Sequence, residues 1–239
     1  MSQKLVIVTG GSSGIGQAIC EKLYIENYLV INFDKLKSES NYSFYSDFVK
    51  CNVTNEDDVI NAFKYIVEKY KKIYGVVNNA GIIRDKVIWK MTMDEWEEVI
   101  NVNLRGTWLM CREAVKIMRK QSHGKIVNIS SRAWLGNPGQ TNYSASKAGI
   151  IGLSRALALE TGKYGISVNV VAPGLIKTQL TDNLPPEVLQ KLIDAQPQKN
   201  IGHPEDVAHA VSFLLNENTH FINGQILYVD GGKSIGQGI

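Results

Sequence analysis

Thr9-Gly10-Gly11-Ser12-Ser13-Gly14-Ile15-Gly16 follows directly on the apolar run Leu5-Val6-Ile7-Val8 and opens a helical pattern over residues 14–26. A glycine-rich turn between a β-type run and a helix lets backbone approach a ligand closely. Its free N–H groups and the positive end of the helix dipole favour an anion. In the first β-α unit of a chain, that context predicts a pyrophosphate cradle formed by Gly10, Ser12, Ser13, Gly14, Ile15 and Gly16. Asp34 closes the next apolar run, Leu29-Val30-Ile31-Asn32-Phe33, eighteen residues beyond Gly16. An acid at that distance accepts hydrogen bonds from both adenosine ribose hydroxyls and repels a 2′-phosphate. The turn offers no Arg or Lys to neutralise such a phosphate, so NAD(H) is the expected cofactor. Lys35 and Lys37, beside Asp34, leave NADP(H) open.

Further along, brief apolar runs at 5–8, 29–33, 74–77, 125–129, 167–171 and 225–229 alternate with helical patterns at 14–26, 56–71, 93–119, 143–160 and 205–215. Runs apolar on both faces and separated by helices predict an α/β fold, a doubly wound Rossmann-type parallel sheet in a single domain over residues 1–239. Ligands of such a sheet lie at the carboxyl ends of its strands. Two connections are irregular. Residues 34–48 are rich in Ser, Asn and Tyr and predict a short loop or single turn rather than a crossover helix. Residues 174–202 carry Pro185-Pro186 and Pro197 around a short helical pattern, which suits a lid over substrate.

Composition narrows the function classes. With 239 residues, 44 % hydrophobic and 21 % charged, the chain is long enough for one sizeable core. A net charge of +3, with lysines scattered, gives no nucleic-acid footprint. No apolar stretch approaches the ~20 residues that span a bilayer, and the early strand leaves no room for a signal peptide, so a cytoplasmic protein is expected. Cys20, Cys51 and Cys111 lack metal-ligand spacing and read as buried small hydrophobes, with no metal expected.

The chemistry is carried by Tyr143-Ser144-Ala145-Ser146-Lys147, on a helical pattern where four-residue spacing puts phenol and ammonium on one face. Interconverting a ketone and a secondary alcohol needs a proton moved as a hydride moves. Free tyrosine titrates near ~10, and a nearby cation favours its phenolate. Lys147 is therefore expected to lower the Tyr143 pKa.

With these motifs in order, the sequence resembles the short-chain dehydrogenase/reductase family over essentially its whole length. The resemblance rests on Thr9–Gly16, Asn78-Asn79-Ala80-Gly81, Asn103 within Asn101-Val102-Asn103-Leu104, the strand-end serine, Tyr143 and Lys147, and Pro173-Gly174. It continues through Gly202-His203-Pro204-Glu205-Asp206-Val207 and Val229-Asp230-Gly231-Gly232. It implies Tyr143 as proton donor in reduction and base in oxidation, and Lys147 as its pKa partner and a ligand of the nicotinamide ribose. Asn103 would interrupt the central helix and hold a relay water. Asn79, Ala80 and Gly81 would line the adenosine ribose path, with Val53 beside the adenine. Pro173, Gly174, Ile176 and Thr178 would meet the nicotinamide end.

Three features set the finer expectations. Counting back from Tyr143 places the substrate-binding serine at Ser130, whereas counting forward along the strand 124–129 places it at Ser131; loops absorb length changes more readily than strands, which selects Ser131. Asn52 stands where the family has Asp reading the adenine amino group, and its side-chain oxygen is expected to accept that bond. Residues 137–143 and 181–206 most resemble 3-oxoacyl-[acyl-carrier-protein] reductases, implying a carrier-bound acyl substrate, an acyl carrier protein or CoA as its carrier, and a homotetramer paired through helices 93–119 and 143–160. Arg119, Lys120, Lys125, Arg132 and Lys163 are candidates to meet an acidic carrier, and Trp134 to line the entrance. Asp34 and the short 34–48 connection suit an alternative, an NAD-dependent secondary alcohol or cyclic dihydrodiol dehydrogenase. A third reading, a non-catalytic dinucleotide-binding scaffold, is opposed by the intact Asn103, Ser131, Tyr143 and Lys147 set.

Overall fold

Strands apolar on both faces must be covered on both, and among the described residues five such strands, with a less buried strand at each edge, align in one seven-stranded parallel sheet. The structure is a computed structural model describing residues 3–37 and 44–235. In chain order the elements are β1 (Leu5–Thr9), α1 (Gly14–Ile25), β2 (Leu29–Asp34), β3 (Asp47–Lys50), α2 (Glu56–Tyr70) and β4 (Gly75–Asn78). There follow α3 (Met93–Val99), a π-helical segment (Ile100–Arg105), α4 (Gly106–Gln121), β5 (Gly124–Ile129), α5 (Thr141–Thr161) and β6 (Ile166–Pro173). The chain then runs through α6 (Gln179–Asp182), α7 (Pro186–Asp194), α8 (Pro204–Leu215) and β7 (Ile226–Val229). The strand order β3-β2-β1-β4-β5-β6-β7 reverses direction of travel between β1 and β4. That switch point is where a doubly wound sheet opens a crevice.

Alternation along the strands divides the core. Ile7, Ile31, Phe33, Val76, Ile126 and Val168 pack with α2 and α4, whereas Val6, Val8, Val30, Val77, Val127 and Val171 pack with α1 and α8. Each such side chain, fully buried, contributes roughly 1.5–3 kcal/mol against exposure. Cys20, Cys51 and Cys111 are free and buried in these layers, as expected of small apolar fillers. Among the described residues no helix is long and apolar enough to cross a membrane.

The helical pattern at 93–119 divides at the π-helical segment, which contains Asn103. Pro185 caps α7 and Pro186 is its first residue, and no residue of α7 is buried. The expected loop over 34–48 falls partly on 38–43, outside the described residues, and its described flanks carry no helix. One strand was not anticipated: β3 begins at the end of that polar stretch and runs past it, pairing Asp34 with Lys50 at the sheet edge. Its anchor is a carboxylate. Asp47 Oδ2 accepts bonds from Tyr65 (2.8 Å), Lys69 (2.8 Å) and Tyr70 (3.0 Å) of α2. A four-residue edge strand with little apolar surface is held by its side-chain bonds.

Burial alone would raise the Asp47 carboxyl, but the Lys69, Tyr65 and Tyr70 bonds overcome it and hold the group below its ordinary value. A depressed carboxyl stabilises the fold above its unfolded pKa of ~3.9, and this contribution is lost as pH falls through the lower folded value. Asp47→Ala is expected to cost about 1–3 kcal/mol in urea unfolding at neutral pH, with the difference from wild type shrinking below pH ~4.

Candidate active site

The crevice begins where β1 and β4 are stitched together. The Thr9 hydroxyl accepts from the N–H groups of Asn79 and Ala80, both at 3.0 Å. The Asn79 amide donates back to the carbonyls of Thr9 (3.0 Å) and Gly10 (3.2 Å). At Gly16 a Cβ would sit 2.0 Å from the Gly10 carbonyl, so only glycine lets α1 start this close to the turn. Gly14, with φ +52°, bends the chain into the helix, and the nearest side-chain atom to a Cβ placed there is Thr178 Cγ2 at 3.9 Å. The 174–202 segment thus overhangs the turn. Helix α1 begins at Ser13 with no side-chain cap and no acid in its first turn, and Ile15 follows partly exposed. Uncapped N–H groups with unopposed positive dipole suit a pyrophosphate. Asp34, part-buried at the end of β2, accepts from Ser12 N–H (3.1 Å) and Lys35 N–H (2.7 Å). The residues present therefore fit a dinucleotide.

The second half of the site is α5 fastened to β5. Ser130 donates its hydroxyl to the Lys147 carbonyl (2.9 Å), and Lys147 Nζ donates to the Ile129 carbonyl (2.9 Å). Two turns further on, Asn128 donates to the Ser154 hydroxyl (2.8 Å). This fixes Lys147 Nζ 5.5 Å from the centre of the Tyr143 ring, so phenol and ammonium do share a face. Ser131 hydrogen-bonds the Tyr143 phenol and accepts from Ala133 N–H at 3.1 Å. Ser130, 2 % exposed, faces the body of α5 instead. Of the two candidate serines, Ser131 is the one beside the tyrosine.

The expected lowering of the Tyr143 pKa is not what the ligand-free site produces. Burial pushes the phenol up to about 12; the Ser131 bond lowers it in part, and the Asp85 carboxylate raises it. The ring keeps some solvent contact, so protein atoms crowding the hydroxyl, rather than complete exclusion of water, underlie the shift. Burial also pushes Lys147 down to about 8. At about 8 Lys147 is still largely protonated at neutral pH, but its Nζ is held on the Ile129 carbonyl and does not offset the burial of the phenol.

Asn103, fully buried in the π-helical segment, accepts from Ile82 N–H (2.8 Å) and donates to the Ile82 carbonyl (3.0 Å) and the Ser146 hydroxyl (3.1 Å). Both amide protons are spent, so this side chain ties the loop after Gly81 to α5 and has no donor left for a relay water. A Cβ at Gly81 would lie 3.3 Å from Asn103 Oδ1 and 3.5 Å from Lys147 Nζ, which brings all three together.

Other expectations change. Asn52 Oδ1 already accepts from Thr54 N–H (3.2 Å) and Thr54 Oγ1 (2.9 Å), leaving no lone pair for an adenine amino group. Val53 is buried against Gly106. Ile176 packs its side chain into the core beside Val8 and Val207, so only its backbone, bridged to Gly202, is placed to meet a ligand. Thr178 caps α6, while Pro173 ends β6 and Gly174 bonds to the Val229 carbonyl. The basic residues mostly lie elsewhere. Lys125 is buried at the start of β5, donating to the Thr219 carbonyl (2.6 Å). Arg119 and Lys163 flank the Tyr164 ring, and Lys120 lies in the last turn of α4. Helices that return along a parallel sheet end at the amino ends of its strands, away from the crevice. Arg132 alone of the five adjoins Ser131. Trp134 donates to the Tyr228 hydroxyl (2.9 Å), anchoring the turn after Ser131 to β7.

Two asparagines carry more than their sequence context announced. Asn142, fully buried, accepts from Tyr143 N–H (2.7 Å) and donates to the carbonyls of Arg84 (3.0 Å) and Glu95 (3.1 Å), setting the start of α5. Asn32, a polar residue in an apolar strand on the same face as Asp34, accepts from Gly11 N–H (3.0 Å). A polar side chain two residues before Asp34 was the available signal.

A family model described as Enoyl-(Acyl carrier protein) reductase matches residues 10–234. The chain is 38 % identical to the (2S)-[(R)-hydroxy(phenyl)methyl]succinyl-CoA dehydrogenase subunit BbsD of Thauera aromatica, covering 98 % of each chain. It is 39 % identical to the 3-oxoacyl-[acyl-carrier-protein] reductase FabG of Thermotoga maritima, covering 97 % of this chain and 98 % of the relative. Among solved structures, ElxO with NADP bound superposes with a TM-score of 0.89 at 32 % identity, over 97 % of this chain and 99 % of that one.

Because Lys147 is lowered from 10.5 in the unfolded chain to about 8 when folded, burying its charge costs stability fully below pH 8. That cost is relieved as pH rises from about 8 to about 10.5. Relative to Lys147→Met, wild type is therefore expected to gain stability across this window. Chemical denaturation of both proteins at pH 7, 8, 9 and 10 checks it; a constant difference contradicts the depressed value.

Proposed function

The chain belongs to the short-chain dehydrogenase/reductase family and is an oxidoreductase of that family; from this we propose that it reduces a 3-oxoacyl thioester, carried on acyl carrier protein or CoA, to the 3-hydroxyacyl form. The observation that carries the reading is a neutral phenol, Tyr143, held beside Ser131 and one helical turn from Lys147 at the carboxyl end of the sheet. The reduced nicotinamide supplies the hydride. Gly10, Ser13, Gly14, Ile15 and Gly16 hold the pyrophosphate on α1, and Asp34 binds the adenosine ribose in preference to a 2′-phosphate, so NAD(H) is the proposed cofactor.

Ser131 donates a hydrogen bond to the substrate carbonyl oxygen and stabilises charge growing there. The Tyr143 phenol then transfers its proton to that oxygen. A phenol near 12 is more acidic than the alcohol formed when the alkoxide takes its proton, so the transfer runs downhill. Lys147 returns charge to the pocket by stabilising the phenolate until it is reprotonated. Residues 174–202 form the substrate lid. A second reading, oxidation of a secondary alcohol by NAD, is favoured by Asp34 and by the likeness to BbsD. A groove of about 470 Å³ between α4 and α5, with Trp108 43 % and Leu159 87 % exposed on these helices, supports a homotetramer paired there.

Assay of acetoacetyl thioester reduction tests the reading: turnover with NADH above that with NADPH is expected, and inactivity with both turns the case to the alcohol dehydrogenase. Tyr143→Phe should lower kcat about 10²–10⁴-fold while cofactor still binds. Ser131→Ala should lower kcat strongly, whereas Ser130→Ala should mainly cost stability, about 1 kcal/mol. The reverse pattern would move the role to Ser130. Light scattering should give a tetramer.

A further inference from the structure

At the ribose end of the turn the polar groups of Asn32 and Ser12 are already engaged. Asn32 Oδ1 accepts the Gly11 N–H at 3.0 Å, and Asn32 Nδ2 donates to the Ser12 hydroxyl at 3.0 Å. That hydroxyl in turn donates its only proton to the Leu36 carbonyl at 2.7 Å. The Ser12 N–H donates to Asp34 at 3.1 Å. Asn32 is fully buried, and it fits so closely under the turn that a Cβ on Gly11 would come within 2.7 Å of its Oδ1. A dianionic 2′-phosphate needs donors, since its oxygens only accept. Every Ser12 donor is spent, and the group beside it is a carboxylate.

We propose that Asn32 is a positioning residue that sets cofactor specificity: by turning the Ser12 hydroxyl toward Leu36 it withholds the donor that a 2′-phosphate would require. Discrimination is thus shared between repulsion from Asp34 and the occupied hydroxyl, and neutralising Asp34 alone recovers only part of NADP(H) binding. This rests on the reading of the turn as a dinucleotide site that prefers NAD(H).

The test is direct binding of NADH and NADPH, followed by protein fluorescence, to wild type, Asn32→Ala, Asp34→Ala and the double variant. Loosening the turn by mere damage weakens both cofactors alike, so the ratio of the two dissociation constants is the readout. The double variant is expected to shift that ratio toward NADPH about tenfold beyond Asp34→Ala, the size of one hydrogen bond to a charged group. Equal ratios in the two overturn the proposal. Wild type supplies a measurement needing no variant: in the ligand-free protein the Gly11 amide should resist hydrogen exchange, and free exchange there overturns the clamp. A wild type that prefers NADPH would refute the cofactor reading itself, while the change of ratio between paired variants still judges Asn32.

Discussion

The register of one helix against one strand is the constraint on which the reactive cluster depends. Helix α5 is fastened to β5 through Ser130 to the Lys147 carbonyl, Lys147 to the Ile129 carbonyl and Asn128 to Ser154. These are buried bonds, and leaving any partner unmade would cost about 1–3 kcal/mol, so the helix has little freedom to slide or rotate. Their consequence is that Tyr143 and Lys147 meet Ser131 at the strand's end. The stitch between Thr9 and Asn79 does the same for the other half of the site, holding β1 and β4 at the switch point. The geometry of the candidate site is thus a by-product of how the sheet's carboxyl edge is hydrogen-bonded.

Much of this was legible in the chain itself. Short runs such as Leu5–Thr9 and Gly124–Ile129 are apolar on both faces, and that pattern has few solutions other than a covered parallel sheet. The glycine turn was readable because its function is backbone geometry, which only glycine permits at Gly14 and Gly16. The choice of Ser131 followed from the stiffness of a strand, and its place beside Tyr143 agrees with that choice. β3 was not readable: Asp-Phe-Val-Lys is polar at both ends, and its hold on the fold comes from bonds to residues of α2 in a separate part of the chain.

The expectations that failed share a cause. Spacing reports which side chains lie close, but a titration depends on everything else around them. At Tyr143 the loss of water outweighs a lysine 5.5 Å from the ring, and the lysine itself is weakened by the same burial. Asn52, which stands where the family has Asp, is committed to Thr54, and the Asn103 amide to Ile82 and Ser146. The basic residues on α4 and at the start of β5 were misplaced because linear sequence does not disclose which end of a sheet a helix reaches.

Helix α7 buries none of its residues, although it stands in the segment that overhangs the glycine turn. A helix that contributes nothing to the core is thermodynamically cheap to move and cheap to alter. Its side chains are therefore open to replacement at almost no penalty to folding, so the surface above the glycine turn can change while the interior stays the same.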